Sequence, residues 1–276
     1  MTSSTITPCM SNGERMRRTV RSLLPRQAYH PLAKMLDASF CLSKLGFAEF
    51  CRLYALSQSG PHIAGKIAKL TIPTLLHPIY IRPGSTDLDE VIQSTVRQAY
   101  GHCLPSSPVR IIIDAGANMG DTTAWYLSKF PEARVIALEP DPENFRLLEL
   151  NCRPYGDRAT LLCAALWGET GRLSLKHTGK CDGVSVHEWD GNNDCQGISM
   201  PDLLQSQGLS QVDILKIDIE DGERALFSAT QDGWIEHVRT IAIEIHSPPS
   251  LEAVKTVTRR HNFSHRLYRN LHFFCR

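Results

Sequence analysis

Acidic residues end several apolar runs of this chain, where a carboxylate is costly to bury without a partner. Asp114 follows Ile111-Ile112-Ile113 and leads into Gly116, Asn118 and Gly120. Glu139, with Pro140 and Asp141, follows Arg134–Leu138. Asp218 and Glu220 end the run from Asp213, and Glu244 and His246 end the run from Thr240. The glycines are spaced Gly-x-x-x-Gly behind an acid, unlike the Gly-x-Gly-x-x-Gly whose amides crowd onto a pyrophosphate. An acid pointed at such a loop suits a ligand bringing positive charge or hydroxyl and ammonium groups, and an adenosine carrying an amino acid fits. Glu139, about 20 residues after the loop, holds the position that grips ribose hydroxyls.

The pattern also predicts the elements that position these residues. Three β-branched residues before Asp114 suit a strand buried on both faces of a parallel sheet. A helix over Thr122–Phe130, a strand over 134–138 and a helix over Glu143–Asn151 follow. A third strand is expected over Thr160–Trp167, forming a hairpin with Arg172–His177 through Gly168 and Gly171. Residues 178–199 are rich in glycine and read as a long surface loop. Strands at 213–220 and Thr240–Ile245 alternate with helices ending near Ala229 and Arg260, and a hairpin of Phe263–Tyr268 and Leu271–Cys275 closes the chain. Alternating strands and helices predict an α/β fold with a mostly parallel sheet. Upstream lie a short strand, a turn at Pro83-Gly84, and a helix to about Tyr100 begun by Ser85, Thr86 or Asp87. Residues 1–60 form an expected helical arm, serving as lid or dimerisation element, and 61–276 form the main domain.

With 276 residues the chain can bury a large core. Its net charge of +1 conceals a basic first sixty residues, a basic final segment and an acidic middle. No run of Arg or Lys interleaves with aromatics, so nucleic acid is not an expected partner. No apolar run reaches the ~18 residues of a membrane span. Nine scattered cysteines without a Cys-x-x-Cys pair suggest reduced thiols and a cytoplasmic setting.

Together these motifs resemble the FkbM-type family of S-adenosylmethionine-dependent methyltransferases. The carrying residues are His77–Asp87, Ile113–Gly120, Leu138–Asp141, Val212–Glu220 with Glu223, and Glu244–His246. Asp221 departs from the family's glycine at that point. The resemblance implies a Rossmann-like class I methyltransferase sheet with its last strand antiparallel. It also implies S-adenosylmethionine as cofactor and methyl transfer to oxygen on a small metabolite, of the secondary kind. By position, Asp114, Gly116, Asn118 and Gly120 would surround the methionine part and ribose of the cofactor. Glu139 would hold the ribose hydroxyls, Asp141 and Ala165 would border the adenine, and Asp218 and Glu220 would face the reacting centre.

A hydroxyl acceptor needs a base, and Asp218 and His246 are the candidates. A carboxylate acceptor needs instead a cationic clamp, for which Arg82 and the basic C-terminal segment are available. Glu220, Glu244 and His246 are the remaining expected acceptor contacts. Lys216, inside a buried run, reads as an ion-pair partner of Asp114 or Asp218. Asp218, Glu220, Glu244 and His246 could also group around a divalent cation, but acids that cradle a sulfonium are the preferred reading and no metal is expected. Two other classes stand beside the methyltransferase: a nucleotide-dependent oxidoreductase, which lacks its fingerprint here, and a non-catalytic partner-binding chain. A homodimer through the apolar arm is a further expectation.

Overall fold

In the computed structural model the described residues are 7–8, 37–58, 65–177, 184–192, 194–220, 222–228 and 232–276. The main sheet is built from β1 (Ile111–Ala115), β2 (Arg134–Leu138), β3 (Ala159–Leu162), β4 (Val212–Ile217), β5 (Val238–Glu244), β6 (Ser264–Tyr268) and β7 (Leu271–Cys275). Across the sheet the order is β3-β2-β1-β4-β5-β7-β6, with Thr7–Pro8 paired briefly outside β6. β7 runs antiparallel to both β5 and β6, and the other central pairings are parallel. The order reverses between β1 and β4, which opens a crevice beyond their C-terminal ends.

Both faces are covered, and this is what the continuous apolar runs require. Ile113, Leu138, Leu215 and Ile243 pack on one face with Leu203, Leu226 and Val254 from the helices. Ile112, Val135, Ile214 and Phe273 pack on the other with Trp125, Tyr126 and Leu127. The two charges inside β4 are both paired. Asp213 accepts from the amides of Arg110 and Ile111 at 2.7 and 3.0 Å and from Arg239 at 2.9 Å, and Lys216 is paired with Asp114.

Four expectations about elements change. The strand foreseen over 160–167 splits after Leu162, and Ala165–Trp167 joins a second sheet. That sheet is ordered Ala165–Trp167, Asp194–Ser199, Gly171–His177, Val184–Glu188. The expected hairpin is therefore opened by Asp194–Ser199, which lies between its two arms. Much of the foreseen 178–199 loop is strand; residues 178–183 and 193 lie outside the described residues.

The helix foreseen to Tyr100 is α-helical only over Asp87–Val91, then π-helical over Ile92–Val96. Left-handed Gln98 (φ 52°) precedes a 3-10 turn at Ala99–Gly101. The hydroxyls of Ser94 and Thr95 bond back to the carbonyls of Glu90 and Val91 at 2.9 and 2.6 Å, which together with four β-branched residues loosens a helix.

Residues 1–6, 9–36 and 59–60 of the arm lie outside the described residues, as does Asp221. The described part of the arm is helical over 37–45 and Phe47–Ser57. Its Cys41, Leu45 and Leu53 pack on the same chain against Leu70, Ile79, Met119 and Leu147. Phe47 and Tyr54 stay exposed. Cys103 neighbours Cys275 of β7, with Cα atoms 7.4 Å apart, beyond the ~4.4–6.8 Å of a relaxed disulfide. No helix among the described residues is long and apolar enough to cross a membrane.

Candidate active site

Strand register arranges the site in two layers. Asp114 of β1 is level with Lys216 of β4 and Ala137 of β2. Two residues farther along, about 6–7 Å, come Gly116, Asp218 and Glu139, at the rim of the crevice.

In the inner layer Asp114 is fully buried. One of its oxygens accepts from the Thr123 hydroxyl at 2.6 Å, and the other lies 3.2 Å from the Lys216 ammonium. Lys216 also donates to the Gly116 carbonyl at 2.6 Å and stands 3.8 Å from Asp218. Burial opposes the charge on Lys216, but Asp114, Asp218 and Asp121 outweigh it and hold the proton on.

The loop above is shaped by two close approaches. Gly116 has φ +75°, and a Cβ there would stand 1.8 Å from the Asp218 carbonyl oxygen. Gly120, at φ +88°, would place a Cβ 2.7 Å from Leu148. Gly120 thus lets the helix Asp121–Lys129 start close against the helix Pro142–Cys152.

At the rim, Glu139 is nine-tenths or more buried and accepts from the amides of Asn118 at 2.8 Å and Asp141 at 3.0 Å. Burial nevertheless pushes its carboxyl up to about 7. Asp218 accepts from the Tyr100 hydroxyl at 3.2 Å. His246 is bonded through Nδ1 to Glu223, a fully buried carboxylate whose other oxygen has no hydrogen-bond partner among the described residues. Its Nε2 faces Glu220 at 3.7 Å and Asp218 at 3.8 Å. Burial pulls the imidazole down, but the bond to Glu223 and the charges of Glu220 and Asp218 prevail and raise it to about 9.

These groups surround a cavity of about 250 Å³. Gly116, Asn118, Asp121, Glu139, Lys216, Asp218 and Glu220 line it, with Glu90 and Tyr100 from the upstream segment. Ala165, Leu166, Trp167, Val184 and Val186 of the second sheet form an apolar wall. The FkbM methyltransferase domain matches residues 114–269, more than half of the chain, from the C-terminal end of β1 to the turn between β6 and β7. The chain belongs to the FkbM methyltransferase family.

This FkbM methyltransferase is 27% identical over 199 residues to methyltransferase sdnD of Sordaria araneosa, a match covering 55% of this chain and 75% of that protein. It is 39% identical over 59 residues to ribosomal RNA small subunit methyltransferase H of Streptomyces avermitilis, covering 21% of this chain and 19% of that one. Among solved structures, precorrin-6y C5,15-methyltransferase from Geobacter metallireducens aligns over 65% of this chain and 85% of its own, with 14% identity and a TM-score of 0.40.

The FkbM site departs from the sequence expectation at several residues. Asp114 faces inward to Lys216 rather than into the cavity, because register sets it one layer too deep. Gly120 packs helices together. Asp141 caps the helix after β2, accepting from the amides of Glu143 and Asn144 at 2.9 Å each. Arg82, foreseen as an anion clamp, is a buried brace: its guanidinium grips both oxygens of Asp87 at 3.0 and 2.7 Å and Asn144 at 2.7 Å. Glu244 is set back, receiving Asn270 at 2.6 Å. Gly116, Asn118, Glu139, Ala165, Asp218 and Glu220 do line the cavity, with His246 behind the last two. The sequence reading gave Glu90 and Tyr100 no part, and quoted Glu223 without a role. Glu90 sits in the acidic first turn of a helix, a pattern that ordinarily marks solvent-facing charge.

Proposed function

We propose that this methyltransferase uses S-adenosylmethionine to methylate a hydroxyl oxygen of a small secondary metabolite, giving a methyl ether. The observation that carries the choice of a hydroxyl is the sign of the cavity. Glu90, Asp121, Glu139, Asp218 and Glu220 line it, and its only lining cation among the described residues, Lys216, is already paired with Asp114. A carboxylate acceptor would find no unpaired ammonium or guanidinium among the described lining residues, and Arg82 is engaged elsewhere. The resemblance to the family supports the metabolite class.

The residues fit the cofactor. Glu139 is fixed by two amides and keeps lone pairs for ribose hydroxyls, while the apolar wall of Pro140, Ala165, Val184 and Val186 suits adenine. The acidic end at Asp218 suits a sulfonium, whose chemistry when bound is to present an electrophilic methyl group. The chain's own residues position the acceptor and take its proton. His246 is the base we assign: Glu223 fixes Nδ1, leaving Nε2 toward the crevice to receive the hydroxyl proton. Asp218 orients the acceptor beside it.

The first experiment is calorimetry with S-adenosylmethionine and NAD⁺ in parallel, followed by mass spectrometry with hydroxyl and carboxylate acceptors. We expect S-adenosylmethionine alone to bind, and hydroxyl compounds to gain one methyl. Binding of NAD⁺ in its place would restore the oxidoreductase, and transfer confined to carboxylates would overturn the hydroxyl assignment. A base held near 9 must lose its proton to act, so turnover should climb toward alkaline pH and level near 9. A rate flat from pH 6 to 9 would remove His246 as base.

A further inference from the structure

We propose that Glu90 receives the α-ammonium group of S-adenosylmethionine, an assignment that rests on the cofactor reading above and adds a residue to it. Three of the other four lining carboxylates have a polar partner in the protein. Glu139 has two amides, Asp218 has Tyr100 and Lys216, and Glu220 stands beside His246. Asp121 sits in the first turn of the helix Asp121–Lys129, where the helix dipole favours a carboxylate. Glu90 lines the same cavity, yet no hydrogen bond or ion pair to its carboxyl exists among the described residues. Only its backbone carbonyl is used, by Ser94 at 2.9 Å.

A half-buried carboxyl without a partner is costly when ionised, and burial, Asp121 and Asp218 push it up to about 8, with Lys216 pulling the other way. Glu244 and the Tyr100 ring are the remaining groups that feel its charge. Its neighbours place it at the β4 end of the cavity, away from Glu139 and the apolar wall. A cationic group with N–H bonds to give is what such a carboxyl lacks. The sulfonium carries charge but no hydrogen to donate, so the ammonium is the better partner. π-helical winding of Ile92–Val96 directly behind Glu90 is the kind of local irregularity that re-aims side chains at functional sites.

The test is calorimetry of the full chain with S-adenosylmethionine and with S-adenosylhomocysteine, which keeps the ammonium and lacks the sulfonium. Glu90→Gln should weaken both by a similar factor, about 10- to 100-fold, with an unchanged melting temperature showing that the variant is folded. Weakening of S-adenosylmethionine alone would move Glu90 to the sulfonium and overturn the assignment, as would unchanged binding of both.

A second readout needs no variant. Glu90, raised to about 8, keeps more of its proton near pH 7.5 than Glu139, raised to about 7, so pairing Glu90 with a cation should expel a proton. The apparent binding enthalpy should then differ between phosphate and Tris buffers. Equal enthalpies would overturn the assignment even if Glu90→Gln failed to fold. Failure of the wild type to bind either ligand would instead overturn the cofactor reading, and this assignment with it.

Discussion

Asp114 and Glu139 are acids at the ends of adjacent strands, and both would be expected to meet the cofactor. In the fold they do opposite things. Asp114 is level with Ala137, so Glu139 reaches two residues farther toward the crevice. The deeper acid meets a cation, Lys216, and a hydroxyl, Thr123. The outer one meets only neutral amides and the cavity. A carboxylate matched by a buried ammonium is spent on holding strands together. One held by amides still carries an unmatched charge, and burial raises its proton affinity. Both look alike in the sequence, and depth and partner decide which is matched inside the sheet and which lines the cavity.

The largest effect should come from breaking the inner pair. Lys216→Met would strand Asp114 as an uncompensated buried charge and release the Gly116 carbonyl, costing about 3–5 kcal/mol of stability in urea denaturation. An unchanged midpoint would show that the pair carries nothing. Glu139→Ala should do the reverse, leaving stability nearly intact while weakening S-adenosylmethionine by about 1–3 kcal/mol in calorimetry. Equal affinity would remove Glu139 from the ribose end.

The sheet was legible because its central strands β1, β4 and β5 are rich in β-branched residues and its strands are separated by helical periods, and the rim acids were legible because they end those runs. Depth was not legible. The pairing of Lys216 with Asp114 or Asp218 was readable from a charge inside a buried run. Which of Asp114 and Glu139 faces the cavity depends instead on the register of β1 against β4, strands about a hundred positions apart. Arg82 reads as a free cation until Asp87 and Asn144 are seen around it. The second sheet was hidden because its strands are short, glycine-bearing and half exposed, although Val184 and Val186 do alternate. Glu90 was hidden for a different reason: the π-helical turn that follows it comes from packing and hydroxyl back-bonds, which no simple periodicity announces.

The smallest effect tests the contrast through pH. Glu139 has a folded value near 7 against an ordinary 4.5, so between those limits the unfolded chain binds fewer protons than the folded one. Stability of the ligand-free protein should therefore fall as pH rises from about 5 to 7, by no more than about 1.4 kcal/mol per pH unit from this group. Asp121, raised to about 6, and Glu90, raised to about 8, add in the same direction. Glu139→Gln should flatten the slope by its own share while Asp121 and Glu90 keep theirs, read as melting temperature against pH. A slope identical to wild type would mean that Glu139 is as well compensated as Asp114, and the distinction between the two layers would fall with it.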